Sequence, residues 1–235
     1  MIDYNKHMND TIQINLSGNM SFTGTLIDKG SDILVIYENN NFIYLPLLHI
    51  QQIQFDFDNQ SLLGGNQRRE IAQKEEAAPD ALSAIPSTSN TISLRKVLQN
   101  AKGMFLELCI GGEQTLHGYV VSVMNDYFIF YSPVYHIVYI PFYHVKWFVP
   151  YKEGQVPYSL EREEFPLRPA MDPLARTFEE QLKRFIGKII ILNLGKKPLQ
   201  IGRLNAINSN QLELVIARNE TIYVNLHHVK SVHLA

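Results

Sequence analysis

The same short pattern occurs three times along this chain of 235 residues. It reads "YLPLLHIQQIQF" from Tyr44, "YIPFYHVKWFVP" from Tyr139 and "YVNLHHVKSVHL" from Tyr223. A glycine and a polar turn residue precede each copy at nearly constant spacing. A pattern that recurs with the same internal spacing is typical of repeat architectures, so we predict three copies of one small fold. The recurring positions are Gly24, Gly118 and Gly202; Asp32, Asp126 and Asn210; Tyr44, Tyr139 and Tyr223; and His49, His144 and His228.

Each copy has the pattern of short β-strands. Its apolar segments are brief, rich in Ile, Val, Tyr and Phe, and separated by turn signals such as "SGN" and "ENNN". Five such strands in roughly 50 residues correspond to a small closed barrel. The glycine in the second strand fits a sharp bend. Pro46 and Pro141 end the fourth strand, and Asn225, another turn former, takes that place in the third copy.

Two linkers separate the copies. Residues 58–91 are polar and rich in Gly, Pro and Ser, which is typical of a flexible linker. A proline-rich stretch over 152–172 forms the second linker. The predicted organisation is barrel 1 over 1–57, linker 58–91, helix and barrel 2 over 92–151, linker 152–172, and helix and barrel 3 over 173–235.

An amphipathic helix is predicted before the second and third barrels. Leu94, Val97, Leu98 and Ala101 share one helical face in the first of these segments. The second segment places Leu174, Phe178, Leu182 and Phe185 on one face, with Asp172 as N-cap and Pro173 at the first helical position.

Composition excludes several classes of function. The net charge of −2 provides no general attraction for nucleic acid or anionic membrane. The first residues, "MIDYNKHMND", lack the apolar core of a secretory signal, and no apolar run is long enough to span a membrane. The single cysteine, Cys109, lies in an apolar context and is predicted to be buried. We therefore expect a chain that folds in the cytoplasm.

No constellation of catalytic residues is apparent. The repeated Asp and Asn positions lack a partner acid or base at a matching offset, and we predict that they bond their own turns. The repeated histidines could converge on a metal, but the favoured interpretation is that each orders the turn before the last strand. We therefore predict no catalytic, cofactor-binding or metal-binding residues, and a chain that is not an enzyme.

The segments "GSDILVIY…IYLPLLHIQQI", "MNDYFIFY…VYIPFYHVKWF" and "NSNQLELVI…IYVNLHHVKSV" resemble the Sm-like (SH3-like) small barrel. Three of them in one chain resemble the spore coat protein B family of endospore-forming bacteria. The resemblance implies a mainly β fold of three tandem Sm-like barrels. It also implies a structural protein made in the mother cell and deposited on the spore coat. Its partners would be other coat proteins and further copies of itself, in a ring or a pseudo-hexamer formed from a dimer. The family's glycine-rich segment survives only as "CIGGEQ" and "NLGKKP", and its Ser/Lys-rich tail is missing.

RNA binding is the alternative function, because Sm-like proteins commonly bind RNA. The family motif for uridine, Asp-x-aromatic-x-Asn followed later by Arg-Gly, is incomplete here. The corresponding segments are "DILVI", "DYFIF" and "NQLEL", and no Arg-Gly pair occurs. The sequence therefore favours the structural role over RNA binding.

More than half of the aromatic residues lie between Phe105 and Tyr151. A single small barrel cannot bury so many, so we expect the second repeat to pack against its neighbours or against another subunit. The predicted interface residues are Tyr127, Phe130, Tyr135, Tyr143 and Trp147.

Overall fold

The computed structural model describes residues 4–55, 85, 92–111, 115–166, 169, 173–195 and 197–235. Over these residues the fold is mainly β, with antiparallel strands, two short α-helices and several 3-10 turns. Apart from Ile85, the predicted linker over 58–91 lies outside the described residues.

The first repeat contains five strands, as its pattern predicts. A 3-10 turn over Tyr4–His7 precedes them, and another over Leu47–His49 separates the last two. The strands are β1 (Thr11–Leu16), β2 (Met20–Lys29), β3 (Ile33–Glu38), β4 (Asn41–Pro46) and β5 (Ile50–Gln54).

The second and third repeats each place a helix before their five strands. Repeat 2 consists of α1 (Leu94–Asn100), β6 (Phe105–Cys109), β7 (Leu116–Val123), β8 (Tyr127–Ser132), β9 (His136–Pro141) and β10 (Trp147–Pro150). Repeat 3 consists of α2 (Phe178–Lys183), β11 (Ile189–Leu192), β12 (Ile201–Asn208), β13 (Gln211–Val215), β14 (Thr221–Asn225) and β15 (Val232–Leu234).

The chain divides into two compact units whose boundaries do not coincide with the repeats. The N-terminal unit contains the described residues up to Asn100 and also Lys146–Pro150, so it includes α1 and β10. The C-terminal unit contains Ala101–Val145 and the described residues from Tyr151 onward. Strand order is β10-β4-β3-β2-β1-β5 in the N-terminal unit and β14-β13-β12-β11-β15-β9-β8-β7-β6 in the C-terminal unit.

The sheets do not close into the predicted barrels. In the N-terminal unit, β4 does not pair with β5 of its own repeat, and its outer edge is taken by β10. In the C-terminal unit, β9 pairs in the same way with β15 of the next repeat. An unpaired strand edge favours addition of another strand, and here the next repeat supplies it. The closed-barrel expectation therefore fails because the sheet continues into the neighbouring repeat.

The three repeated glycines lie where the second strand of each repeat crosses close to the third. A Cβ atom at Gly24 would lie 2.5 Å from the carbonyl oxygen of Tyr37, and one at Gly202 would lie 2.9 Å from that of Val215. A Cβ atom at Gly118 would lie closer still to the carbonyl oxygen of Tyr131 in β8. A register shift follows each glycine, after Leu26, Val120 and Leu204. A β-bulge beside a residue without a side chain lets each strand bend sharply.

Packing explains the observed limits of the helices. Leu94, Val97, Leu98 and Ala101 are all buried, as predicted from their spacing. The second helix begins later than predicted, because Thr177 is its N-cap and forms a capping box with Glu180. The predicted N-cap Asp172 lies outside the described residues. A threonine with a glutamate three positions later satisfies two free N–H groups, which fixes the start at Thr177.

The described part of the segment over 152–172 contains short 3-10 turns and packs against the second repeat. Short 3-10 turns occur over Pro157–Ser159 and Arg162–Glu164. Phe165 is buried against Tyr119 and Tyr131. Cys109 is also buried, in agreement with its apolar context. No helix within the described residues is both long and apolar enough to cross a membrane.

Candidate assembly interface

Two strand pairings join consecutive repeats, and we call each of them a joint. In the first joint, Tyr44 of β4 pairs with Phe148 of β10. In the second joint, Tyr139 of β9 pairs with Val232 of β15. Tyr44 and Tyr139 hold the same repeat position, and Phe148 and Val232 each follow a repeated histidine by four residues. The same residues of the repeat are therefore used in the same way at both joints.

The first joint is closed by aromatic packing. The rings of Tyr44 and Phe148 stack 4.8 Å apart and nearly parallel, at 7°. Both side chains are almost fully buried, and the Tyr44 hydroxyl accepts a hydrogen bond of 3.1 Å from the backbone N–H of Ile85. Trp147 lies edge-on to Phe22 of the first repeat, with ring centroids 5.6 Å apart. Aromatic pairs in these arrangements stabilise an interface beyond the area they bury.

The second joint uses Tyr139, the equivalent of Tyr44, and two further tyrosines of the second repeat. Tyr139 is 3% exposed and packs edge-on against Phe185, 5.1 Å away. The Tyr143 hydroxyl donates a hydrogen bond of 3.3 Å to the carbonyl oxygen of Leu226. Burial, and to a smaller degree the charge of Asp126, raises the pKa of Tyr143, which keeps this phenol a neutral donor. The ring of Tyr135 lies 5.6 Å from that of His233.

The repeated aspartates hold the helix of the following repeat. Asp32 Oδ1 accepts a hydrogen bond of 2.8 Å from the backbone N–H of Leu94, at the start of α1. Asp126 Oδ1 accepts one of the same length from Phe178 at the start of α2. A carboxylate there satisfies a free N–H group and favourably meets the positive end of the helix. These bonds span most of a repeat, whereas the sequence predicted bonds within the turn.

Asn210, at the equivalent position in the third repeat, shares only the local part of this arrangement. Its carbonyl oxygen accepts a hydrogen bond of 2.7 Å from the N–H of Leu226, as Asp32 and Asp126 do from Leu47 and Phe142. Its side chain is exposed. The neutral amide of Asn210 replaces the helix-capping carboxylate of the first two repeats.

A buried polar network surrounds the start of α2. The Tyr127 hydroxyl donates to the carbonyl oxygen of Ala175 at 2.8 Å and lies 3.2 Å from Gln181 Oε1. Gln181 Oε1 also accepts from the N–H of Ala175 at 2.7 Å, and the Gln181 side chain is fully buried. Burial is the largest cause of the raised pKa of Tyr127, so this phenol stays protonated and continues to donate. The network fixes the third repeat onto the second.

The repeated histidines end the 3-10 turns before each last strand. At the first joint, Lys146 Nζ donates to His49 Nδ1 at 3.0 Å and also contacts Ser17 Oγ. Asn193 Nδ2 donates to the carbonyl oxygen of His228 at 3.5 Å. His144 lies beside the ring of Tyr143. Across the described residues, no group of three or more His, Cys, Asp and Glu side chains is placed to hold a metal ion.

The predicted interface residues fall into two groups. Tyr127, Tyr135, Tyr143 and Trp147 lie at or beside the joints, as described above. Phe130 is instead fully buried within its own repeat, with its ring near Gly118.

The segment over 151–166 covers a second set of aromatic side chains in repeat 2. Phe165 packs edge-on against Phe105, with ring centroids 4.7 Å apart, and against Tyr119 and Tyr131. The Tyr119 hydroxyl donates to the carbonyl oxygen of Pro166, and burial, with Tyr131 as a second cause, raises the pKa of Tyr119 to about 12. Much of the aromatic excess of repeat 2 is therefore used in packing within the chain.

Sequence reasoning missed one polar cluster around His117. Tyr151 Oη lies 2.8 Å from His117 Nδ1, and Thr115 Oγ1 lies 3.0 Å from His117 Nε2. Burial, followed by Glu107 and Tyr158, raises the pKa of Tyr151, so the phenol donates to the imidazole. The position of His117 is held by Thr23 in the first repeat and by Ile201 in the third, so no repeated residue type indicates the cluster. The cluster ties the 151–166 segment to β7.

Strands β14 and β5 each have one long edge that pairs with no other strand of the described residues. Strand β14 ends the order of the C-terminal unit, and β5 ends that of the N-terminal unit. Tyr223 of β14 holds the position of Tyr44 and Tyr139, yet it is 66% exposed, against 1% and 3% for those two. Ile53 of β5 holds the position of Phe148 and Val232. The tyrosine position of a joint is therefore present on β14 and the apolar position on β5, and these two strands do not pair with each other.

Comparison with known proteins places this architecture in a family. Residues 177–232, which run from the N-cap of α2 into β15, match the family model described as the YwrJ third domain. Over 230 residues the chain is 36% identical to "Uncharacterized protein YwrJ" of Bacillus subtilis (strain 168). That similarity covers 98% of this chain and 98% of the Bacillus subtilis protein. The chain therefore belongs to the YwrJ family.

Proposed function

We propose that this protein is a non-enzymatic structural component of the bacterial spore coat that acts through its strand edges. The observation that carries the proposal is the repeated joint. One surface of the repeat binds one surface of the next repeat twice, through equivalent residues at Tyr44–Phe148 and Tyr139–Val232. A repeat built to bind copies of itself is suited to assembling layers and to joining other coat proteins of similar fold.

The use of the polar residues supports a structural role. Asp32 and Asp126 cap helices, and the Tyr127 and Gln181 side chains bond to each other and to backbone. Proton transfer requires a group free to reach a substrate, and these groups are committed to neighbouring repeats. The spore coat assignment rests on the resemblance of the three Sm-like repeats to the spore coat protein B family, which also supplies the mother cell as the site of synthesis.

The RNA-binding alternative is weakened by the same contacts. In Sm-like RNA-binding proteins the aspartate of the loop motif takes part in uridine recognition. Here Asp32 and Asp126 accept hydrogen bonds from helix N–H groups of the following repeat. Co-purification of nucleic acid, measured by the ratio of ultraviolet absorbances, would favour the alternative.

The test is the position of a fluorescently tagged copy in sporulating cells of an endospore-forming bacterium. We expect a ring or cap around the developing spore, with little signal during vegetative growth. A matched fusion carrying Asp126→Ala and Asp32→Ala, which removes the caps that hold each helix to the preceding repeat, should give a fainter ring. Diffuse signal in growing cells, with none on the spore, would contradict the proposal.

A further inference from the structure

We propose that the outer face of repeat 3 binds an extended segment of a partner protein, in which an aromatic side chain lies next to carboxylates. This face alternates with the buried residues of the same strands. The inference deepens the proposed function by naming the kind of partner, and it rests on that function only for the partner's place in the spore coat. The outer face consists of Ile189 and Ile191 of β11, Ile201 and Arg203 of β12, and Val215 of β13.

The outer face is apolar and open. Ile189 is 54% exposed and Ile201 is 41% exposed, although both are large aliphatic side chains on regular strands. Ile191 pairs directly with Ile201 across β11 and β12, so these side chains lie next to each other. Leu199, two positions before Ile201, is 56% exposed. Adjacent exposed apolar side chains are typical of an interaction surface, whereas scattered ones are not.

Repeat 2 shows what kind of segment covers this face. There the 151–166 segment packs on it, and Phe165 contacts all three aromatic residues of the face. Leu160 packs beside Phe165, and Glu163 and Glu164 directly precede it in the chain. The chemistry of the cover is therefore an aromatic anchor next to carboxylates. In the register of the strands, Phe105, Tyr119 and Tyr131 of repeat 2 are equivalent to Ile189, Arg203 and Val215 of repeat 3.

Repeat 1 shows that the fold does not require apolar residues on this face. The equivalents of the four paired residues on β11 and β12 are polar and uncharged there, in the pairs Thr11–Thr25 and Gln13–Thr23. Polar side chains of this kind are stable in contact with water. The isoleucines of repeat 3 are therefore a property of that repeat alone, and they favour a covered surface.

Arg203 indicates the charge of the partner. Its side chain is exposed, and in the strand pairing it lies between Ile189 and Val215, in the place of Tyr119. None of the ion pairs found among the described residues involves Arg203. A guanidinium group binds a carboxylate through two parallel hydrogen bonds and also stacks on aromatic rings. A phenylalanine preceded by glutamates supplies both groups.

The segment of this chain that has the required chemistry is already in use on repeat 2. Phe165 is buried there, and Tyr151 at the start of the segment contacts His117. A partner protein with a similar segment is therefore the occupant that fits repeat 3. The same segment, made as a free peptide, is a suitable probe of the open face.

The experiment measures binding of a fluorescein-labelled peptide, "QVPYSLEREEFP", which corresponds to residues 155–166, to the full-length chain. Fluorescence anisotropy should show saturable binding with a Kd below about 1 mM. The same peptide with Phe165→Ala should bind about tenfold more weakly, because it lacks the aromatic anchor.

Two protein variants locate the binding site. Ile201→Asp places a charge in the centre of the outer face and should weaken binding about tenfold or more, which binding to repeat 2 would not do. Leu48→Asp is the matched control in the N-terminal unit, at a residue 69% exposed, and should bind the peptide like the wild type. Thermal unfolding shows whether both variants fold.

A charge exchange tests the role of Arg203. Arg203→Glu should weaken binding of the acidic peptide about tenfold, because the carboxylates lose their partner and meet a like charge. A second peptide, with lysine at the positions of Glu161, Glu163 and Glu164, should bind Arg203→Glu more tightly than it binds the wild type.

Three results would overturn the proposal. One is the absence of saturable binding at peptide concentrations up to about 1 mM. The others are equal binding by Ile201→Asp and the wild type, and an Arg203→Glu protein that still prefers the acidic peptide. A protein that binds the peptide as expected but is diffuse in sporulating cells would instead contradict the spore coat role alone.

Discussion

The carboxylate of Asp126 accepts a 2.8 Å hydrogen bond from the backbone N–H of Phe178, a residue 52 positions later in the chain. The equivalent bond runs from Leu94 to Asp32 over 62 positions. A turn residue in one repeat therefore positions the helix of the next, which makes the repeats interdependent.

Replacing Asp126 by alanine should lower the free energy of unfolding of the C-terminal unit by about 1 kcal/mol, because the start of α2 loses its cap and a favourable charge. Urea unfolding of the full chain provides the measurement. Asp126→Asn is the matched variant, since it keeps an acceptor oxygen without the charge, and it should fall between alanine and wild type. Equal stabilities for Asp126→Ala and the wild type would show that the bond contributes nothing.

Alanine at the three repeated glycines should destabilise the chain in a fixed order. The Cβ of Gly118→Ala would meet the Tyr131 carbonyl oxygen most closely, followed by Gly24→Ala at 2.5 Å from Tyr37 and Gly202→Ala at 2.9 Å from Val215. Overpacking against backbone costs about 1–3 kcal/mol, so Gly118→Ala should lie at the top of this range or above it. Thermal unfolding of the three variants tests the order, and a Gly202→Ala protein less stable than Gly118→Ala would contradict it.

Alkaline pH should weaken the packing of the 151–166 segment through Tyr119. Its pKa is raised from about 10 to about 12, mainly by burial, so the folded state holds its proton more tightly than the unfolded state. Stability is therefore complete below about pH 10 and is lost as the pH rises toward 12. Tyr119→Phe should show a shallower loss across this interval in urea unfolding. Identical slopes for the two proteins would refute this role of Tyr119.

Mildly acidic pH should destabilise the chain through His233. Burial, with His136 as a second cause, lowers the pKa of His233 below 6.5, so protonation is easier in the unfolded state. The stability is present above the unfolded pKa and is lost as the pH falls through the folded one. His233→Gln should reduce this loss.

Denaturation curves of wild type and His233→Gln, measured at about pH 8 and again below the ordinary histidine pKa, provide the comparison. At the higher pH both forms have a neutral side chain, which isolates the effect of the substitution itself. A wild type whose stability falls no faster with acid than that of His233→Gln would contradict the prediction.

Sequence reasoning located the strands and the first helix because both depend on local periodicity. The five strands of each repeat and the buried face of α1 follow from residues within a few positions of each other. The apolar spacing from Leu174 predicts a start for the second helix that is too early, because the capping box at Thr177 determines where the helix begins. Periodicity alone does not distinguish a helix from an irregular segment with the same apolar side chains.

The features that concern assembly could not be derived locally. A repeated aspartate in a turn is equally consistent with a local bond and with a cap 52 residues away. The continuation of the sheet from Tyr44 to Phe148 depends on which strand pairs with the outer edge of β4. The pattern within one repeat predicts a closed barrel and carries no information about a strand of the next repeat. Tyr44, Tyr139 and Tyr223 are equivalent in the sequence, and only their exposed fractions in the structure show that the first two lie in a strand pairing and the third does not.

The assignment of β10 to the N-terminal unit has a consequence for synthesis of the protein. The nascent first repeat leaves the ribosome with the outer edge of β4 uncovered, and Phe148 follows roughly 100 residues later. At about 5–20 residues per second, this edge waits on the order of 5–20 s for its partner strand. During that interval the nascent chain exposes a strand edge of the kind that recruits chaperones, or a neighbouring copy translated from the same message.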